Sequence, residues 1–170
     1  MPQIAAGIEF KSLRSSGLDA TLSALGASRQ GTDFYISATK LLLAQGVLIN
    51  GTLRATKANQ NGLLGFGATL GGARDSYQLM PEVSVAWLPN RYLAMGMEYR
   101  RMPNNLQDAG NAAGLGDGLA AQDWKDLFIA WAPSKNLSVT LAYVDLGVVV
   151  PATTDSRHQT GGYVSVQLAY

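Results

Sequence analysis

The chain has no cysteine, one histidine (His158) and few charges. Asp, Glu, Lys and Arg make up 15% of its 170 residues, against about 25% in an ordinary soluble domain. The absence of cysteine excludes disulfide frameworks, thiolate metal sites, iron–sulfur clusters and cysteine nucleophiles. One histidine cannot build a multi-histidine zinc site. Thirteen basic and twelve acidic side chains leave a net charge of +1. Neutralising a phosphate backbone needs a basic excess, so no nucleic acid is expected as a partner. No segment approaches the roughly 18 consecutive apolar residues of a transmembrane helix. The opening Met1-Pro2-Gln3-Ile4-Ala5-Ala6-Gly7 has no basic leader and no long apolar stretch, so no signal peptide is visible. The pattern described next leads to the expectation that the sequence begins after a targeting segment.

Alternation with a period of two is the dominant signal that is present. Val164, Val166, Leu168 and Tyr170 share one strand face, opposite Tyr163, Ser165, Gln167 and Ala169. Leu137, Val139, Leu141 and Tyr143 oppose Ser138, Thr140 and Ala142. Leu127, Ile129 and Trp131 oppose Asp126, Phe128 and Ala130. Leu93, Met95, Met97 and Tyr99 oppose Gly96, Glu98 and Arg100. Leu79, Val83, Val85 and Trp87 oppose Gln78, Glu82 and Ser84. Val47, Ile49 and Leu53 oppose Asn50, Thr52 and Arg54, and Ile4, Ile8 and Phe10 oppose Gly7 and Glu9. The stretch Asp33–Leu42 is β-like with its facing open, because Lys40 falls with Phe34, Ile36 and Ala38. Asn50-Gly51 offers a competing tight hairpin. The longer strand is preferred because Thr52–Thr56 continues its alternation.

Connections alternate in length along the chain. Leu43–Gly46, Pro89–Arg91 and Pro133–Asn136 are tight and carry turn residues. Ser12–Thr32, Ala58–Ser76, Met102–Gln122 and Gly147–Gln159 are long, and polar or Gly-rich. In an up-and-down meander all long loops then collect at one end, with both termini at the other. That is the layout of an outer-membrane β-barrel. The expected fold is therefore all-β: one domain over residues 1–170, an antiparallel up-and-down transmembrane barrel of at least eight strands. Aromatic placement fits two interfacial belts. Trp87, Tyr92, Trp131 and Tyr170 lie beside the tight turns. Tyr77, Tyr99, Trp124, Tyr143 and Tyr163 lie near the long loops. A soluble lipocalin-like barrel or sandwich also alternates, with its apolar face inward. Few strand charges and the strict long–short alternation favour the membrane form.

The last strand, Gly162 to Tyr170, ends the chain on an aromatic residue after apolar residues at every second position. It resembles the C-terminal signal by which the β-barrel assembly machinery recognises outer-membrane clients. Three stretches, Thr32 to Lys40, Thr52 to Gln60 and Leu141 to Gly147, resemble a bacterial family of uncharacterised, outer-membrane-like proteins with a domain of unknown function. The resemblance covers most of the chain and brings no activity, substrate or catalytic residue. Members of that family look longer at the N-terminus, with a Gly-rich opening. This implies that Met1 starts inside a larger barrel, of which this chain is the C-terminal part.

Residues that could carry chemistry are few. His158 lies in a long loop with no acidic partner assigned from sequence. Gly114-Leu115-Gly116-Asp117-Gly118 lacks the Lys-Ser/Thr of a phosphate-binding loop. Asp108, Asp117, Asp123 and Asp126 match no calcium-loop spacing. No enzymatic activity, cofactor or metal is expected. Ser12–Thr32 places Leu18, Leu22 and Leu25 at near-helical spacing, which predicts a short amphipathic helix at the rim.

Alternation sends Glu9, Arg54, Glu82, Glu98, Arg100 and Asp126 to the lumen, with Lys40 a further candidate. A charge facing lipid at mid-depth costs roughly 2–4 kcal/mol for Arg or Lys. In an eight-stranded barrel such charges pair and fill the interior. In a wider one they line a solute path. The expected function is an outer-membrane barrel of the channel or porin type. A non-catalytic structural or docking barrel for a partner complex is the alternative, and a soluble ligand-binding barrel the second alternative. The expected partners are the lipid bilayer, the assembly machinery through the C-terminal strand, and a protein partner or further copies of the chain. The expected location is the bacterial outer membrane.

Overall fold

The computed structural model describes residues 1–14, 16–70, 75–152 and 157–169. Its strands are β1 (Gln3–Ser12), β2 (Gln30–Leu42), β3 (Val47–Thr56), β4 (Gln78–Asn90), β5 (Leu93–Arg100), β6 (Trp124–Ser134), β7 (Leu137–Asp145) and β8 (Thr160–Leu168). They form one eight-stranded antiparallel sheet in chain order. Two short helices, α1 (Asp19–Leu25) and α2 (Asn105–Ala112), lie in the long connections. The helix expected in Ser12–Thr32 is α1, with Leu22 and Leu25 buried. The strand through Asn50-Gly51 is continuous, since Asn50 pairs with Ser84 and Gly51 with Val83 inside the β3–β4 ladder.

Short turns use local polar groups. The Tyr92 amide donates to Asn90 Oδ1 at 2.8 Å, and the Asn136 amide to Ser134 Oγ at 3.3 Å. These side chains mimic a backbone turn and hold the hairpins tight. Beside both turns the ladder shifts register, between Trp87 and Asn90 and between Trp131 and Ser134.

Register fixes the two faces of the sheet. Ile36 pairs with Leu53, Ile49 with Val85, Met97 with Leu127, Ile129 with Leu141, and Leu141 with Val164. All of these lie on one apolar face, and nothing among the described residues covers it: Ile36, Leu53, Leu127 and Leu141 are each more than half exposed. Seven inter-strand gaps of about 4.8 Å make the face roughly 34 Å wide. With a height of about 20 Å it approaches roughly 700 Å², beyond the largest patch on a typical soluble monomer.

The opposite face is polar. Ser37 pairs with Thr52, Thr52 with Glu82, Glu82 with Arg100, and Thr140 with Ser165. Aromatic rings lie across glycines there. A Cβ on Gly96 would stand 2.5 Å from both the Phe128 ring and the Val85 carbonyl, so only glycine lets that ring lie flat on the strand.

The hydrophobic core is not under the sheet. It sits among the long connections, where Leu25, Ala68, Leu106 and Ala109 cluster with Ala27, Leu64 and Leu119 against them. The loops thus form a packed cap at one end of the polar face.

The expected barrel is not closed. Among the described residues β1 pairs only with β2 and β8 only with β7. The eight-stranded meander is present, and its two edges stay apart.

Candidate functional site

At the cap end of the polar face, five adjacent strands, β1 to β5, bring charges into one chain of ion pairs. Arg54 Nε donates to Glu82 Oε1 at 2.6 Å, and Arg54 Nη1 to Glu9 Oε2 at 2.5 Å. Arg100 approaches the same Glu82 carboxylate at 3.2 Å. Lys11 Nζ donates to Asp33 Oδ2 and to Asn61 Oδ1, both at 2.8 Å, and Arg54 lies 3.6 Å from Asp33. The Arg54 guanidinium also stacks 5.6 Å from the Tyr35 ring centroid. Burying a carboxylate without a partner is very costly, and Asp33 is fully buried. Lys11 and Arg54 lie beside it as counter-charges that offset the cost of its burial.

The cap reaches onto this site. Gly31 lies on the polar face beside Lys11, and a Cβ there would stand 2.1 Å from the Phe66 ring. Gln60 and Asn61 adopt left-handed backbone angles, φ 46° and 58°, which costs a non-glycine residue of order 1–3 kcal/mol. Buried amides hold that turn. Asn59 Nδ2 donates to the Gly67 carbonyl at 2.7 Å, and Gln60 Nε2 to the Val149 carbonyl at 3.0 Å. Asn105 Nδ2 reaches the Lys57 carbonyl at 3.2 Å, and Gln78 Nε2 donates to Asn105 Oδ1. These bonds join three of the long connections to β4.

Beside the ion chain, β3 to β7 line an open pocket of about 260 Å³, with Asn50, Glu82, Glu98, Arg100, Trp124 and Asp126 around it. Glu98 and Asp126 are direct cross-strand partners, and like charges placed so repel. Trp124 Nε1 is buried without a hydrogen bond. Further along, the polar face carries small or neutral groups: Phe128, Ala130, Thr140, Ala142 and Tyr163. The charges thus gather toward the cap end of this face, and the turn end carries small and aromatic side chains with Thr140 among them.

All six charges assigned to this face by alternation, Glu9, Arg54, Glu82, Glu98, Arg100 and Asp126, lie on it. Arg54, Glu82, Arg100 and Glu9 are linked, while Glu98 and Asp126 stand apart from that chain. Lys40 is a correction. It pairs with Ile49 on the apolar face, close to the Leu43–Gly46 turn, where a long side chain can reach water past the strand end. Trp124 pairs with Arg100 and Tyr163 with Ala142, so both lie near the long loops but face the polar side, as alternation already set for Tyr163. Trp87, Trp131 and Tyr143 lie on the apolar face, about half exposed, with Tyr99 beside them somewhat less so, and Tyr92 lies in its turn with Arg91 stacked 4.5 Å away. Tyr170 lies outside the described residues.

His158 Nδ1 lies 3.1 Å from both Asp145 carboxylate oxygens, a partner that the sequence did not reveal. Asp123 accepts from the Tyr99 hydroxyl at 2.5 Å and from the Met102 amide at 3.0 Å. Asp117 accepts from Gln107. Sequence reasoning also missed Lys11 and Asp33. The alternation Gly7, Glu9, Lys11 carried the signal for the first. For Asp33, the unsettled facing of β2 hid it. The buried amides Asn59, Gln60 and Asn105 gave no sequence signal, since amides in long polar loops read as solvated.

The chain matches the family described as Protein of unknown function (DUF3034) over residues 1–167, and it belongs to that family. No curated protein and no solved structure matches it.

Proposed function

We propose that this chain is the wall of a β-barrel in a bacterial outer membrane, with a polar lumen that passes small hydrophilic solutes. The observation that carries this reading is the inversion of the sheet. Its apolar face is exposed across eight strands, while its buried sheet residues include Asp33, Thr52 and Thr56. Hydrocarbon favours such a face and water does not. Half-exposed Trp131 and the Tyr99–Lys125 row lie six positions apart along β6, roughly 20 Å at 3.4 Å per residue. That is close to the apolar band of outer-membrane barrels, about 25 Å tall. A soluble barrel for an apolar ligand would need the opposite arrangement.

In this reading Glu98 and Asp126 meet the aqueous path, and Arg54 and Arg100 set its charge at the cap end. Catalysis has no part in it. The test is planar-bilayer recording of the reconstituted protein. Replacing Arg54 and Arg100 by Gln should shift the reversal potential toward cation selectivity. Unchanged selectivity, or no conductance from folded protein, would contradict the channel reading.

One observation favours a second reading, a docking barrel. Described parts of three long connections pack around Leu25, Ala68, Leu106 and Ala109, so they present a fixed surface. A stoichiometric partner that co-purifies in mild detergent and is lost on disrupting that cluster would support it.

A further inference from the structure

We infer that the cap end of the apolar face holds a binding site for one ethanolamine phospholipid, its phosphate on Lys125, its ammonium on Asp145 and an acyl chain along Val85 and Leu127. The inference rests on the membrane reading above. Tyr99, Lys125 and Asp145 stand in one row across three strands, since Tyr99 pairs with Lys125 and Lys125 with Asp145. Two open recesses meet at that row. Toward the middle of the sheet, Val83, Val85, Met97, Leu127 and Tyr143 line an apolar recess of about 550 Å³. Toward the cap, Gln122, Asp123, Gly147 and His158 line a polar one of about 420 Å³. Tyr99, Lys125 and Asp145 belong to both. An apolar recess joined to a polar one fits an amphiphile whose head and tail divide at the row.

The charges of the row are open to a ligand. Lys125 is exposed, and among the described residues its ammonium makes no hydrogen bond or ion pair. Asp123 is already engaged by the Tyr99 hydroxyl and the Met102 amide. Asp145 accepts from the Gly147 amide at 2.8 Å, and both its oxygens lie 3.1 Å from His158 Nδ1. A carboxylate has about four acceptor sites, so Asp145 is held in place with capacity for a further donor. A lysine at a strand end can simply reach water, as Lys40 does at the turn end of the same face. Lys125 differs in having a recess on each side and a carboxylate directly across the ladder.

Headgroup chemistry narrows the occupant. A lipid phosphate on Lys125 forms a charge-assisted hydrogen bond. Residues directly opposed across a ladder stand about 5 Å apart, and an ethylene link joins phosphate to ammonium in an ethanolamine phospholipid, which is a matching span. The four charges then alternate in sign around the site. A phosphatidylglycerol head would bring only an anion toward Asp145, and a choline head has no N–H to donate to it. A fatty acid would set its own carboxylate beside Asp145. Tyr99 and Tyr143 flank the apolar recess, and amphipathic rings of that kind mark the level at which headgroups lie.

The protein in mild detergent is titrated with phosphatidylethanolamine, phosphatidylglycerol or phosphatidylcholine of identical acyl chains, and native mass spectrometry reads the lipid retained. One phosphatidylethanolamine per chain is expected, held about three- to fivefold more tightly than either other lipid, the scale of an exposed ion pair. Lys125→Gln should abolish that preference, and Asp145→Asn should bring phosphatidylethanolamine down to the level of phosphatidylglycerol. Lys40→Gln, which removes the cation at the turn end of the apolar face, should leave the preference intact. Equal retention of the three lipids, a preference for phosphatidylglycerol, or an ethanolamine preference that survives Lys125→Gln would overturn the site. Liposome flotation of the same protein separates the two ideas. Protein that floats without the ethanolamine preference refutes the site and leaves the membrane reading standing. Protein that stays in the aqueous fraction yet retains one phosphatidylethanolamine through Lys125 refutes the membrane reading and leaves the site standing.

Discussion

Arg54 and Glu82 are joined diagonally rather than directly across the sheet. Arg54 faces Met80 and Glu82 faces Thr52 in the β3–β4 ladder, yet Arg54 Nε lies 2.6 Å from Glu82 Oε1. The same guanidinium reaches Glu9, two strands away on β1. One cation thus ties strands β1, β3 and β4 and lies beside Asp33 on β2, so it serves as the electrostatic centre of the polar face.

Arg54→Met should destabilise the folded protein by about 3 kcal/mol, because Glu82, Glu9 and buried Asp33 lose a shared counter-charge. Urea unfolding in detergent, followed by tryptophan fluorescence, measures the loss. Adding Glu82→Gln to that variant should recover part of it, since one of the stranded charges is then gone.

Ile129→Arg, at the middle of β6 on the apolar face, should cost roughly 2–4 kcal/mol of stability in lipid. Ala130→Arg, one residue on and facing the polar side, should cost much less. Equal small effects at both positions in liposomes would mean that neither face meets lipid.

How much of this was legible beforehand depended on parity. Successive side chains point to opposite faces, so Val83, Val85, Met97, Leu127 and Ile129 could be assigned to one face before any pairing was known. Glu82 and Arg100 fell to the other in the same way. Alternation also set the order of long and short connections, hence the cap at one end. It could not say that Arg54 prefers Glu82 to its direct neighbours, because rotamer choice is a three-dimensional matter. Nor could it show that Asn59, Gln60 and Asn105 are buried. Nothing in a loop's composition reveals that other loops will cover it. Closure lay beyond it too: period two is the same in an open sheet and a ring.

Gln60→Ala should loosen the cap without unfolding the sheet. It removes the donor to the Val149 carbonyl, and an unsatisfied buried acceptor costs about 1–3 kcal/mol. Hydrogen exchange should rise in residues 57–68 and 146–150 while β5 to β7 stay protected. Faster exchange throughout the sheet would show that the cap and the sheet are one cooperative unit.

Gly96→Val should destabilise by about 1–3 kcal/mol, because its branched side chain meets the Phe128 ring and the Val85 carbonyl. Thermal shift of cold-gel mobility reads this, and Gly96→Val with Phe128→Ala should recover part of the loss by clearing the ring.

The most direct measurement of the central claim is a nitroxide scan along β6, from Lys125 to Ala132, in reconstituted liposomes. Accessibility to oxygen and to a water-soluble nickel chelate is recorded at each position. The account predicts period-two alternation: Leu127, Ile129 and Trp131 accessible to oxygen and shielded from nickel, and Asp126, Phe128 and Ala130 the reverse. Nickel access at Leu127, Ile129 and Trp131 equal to that of their neighbours would contradict it, because the apolar face would then be meeting water.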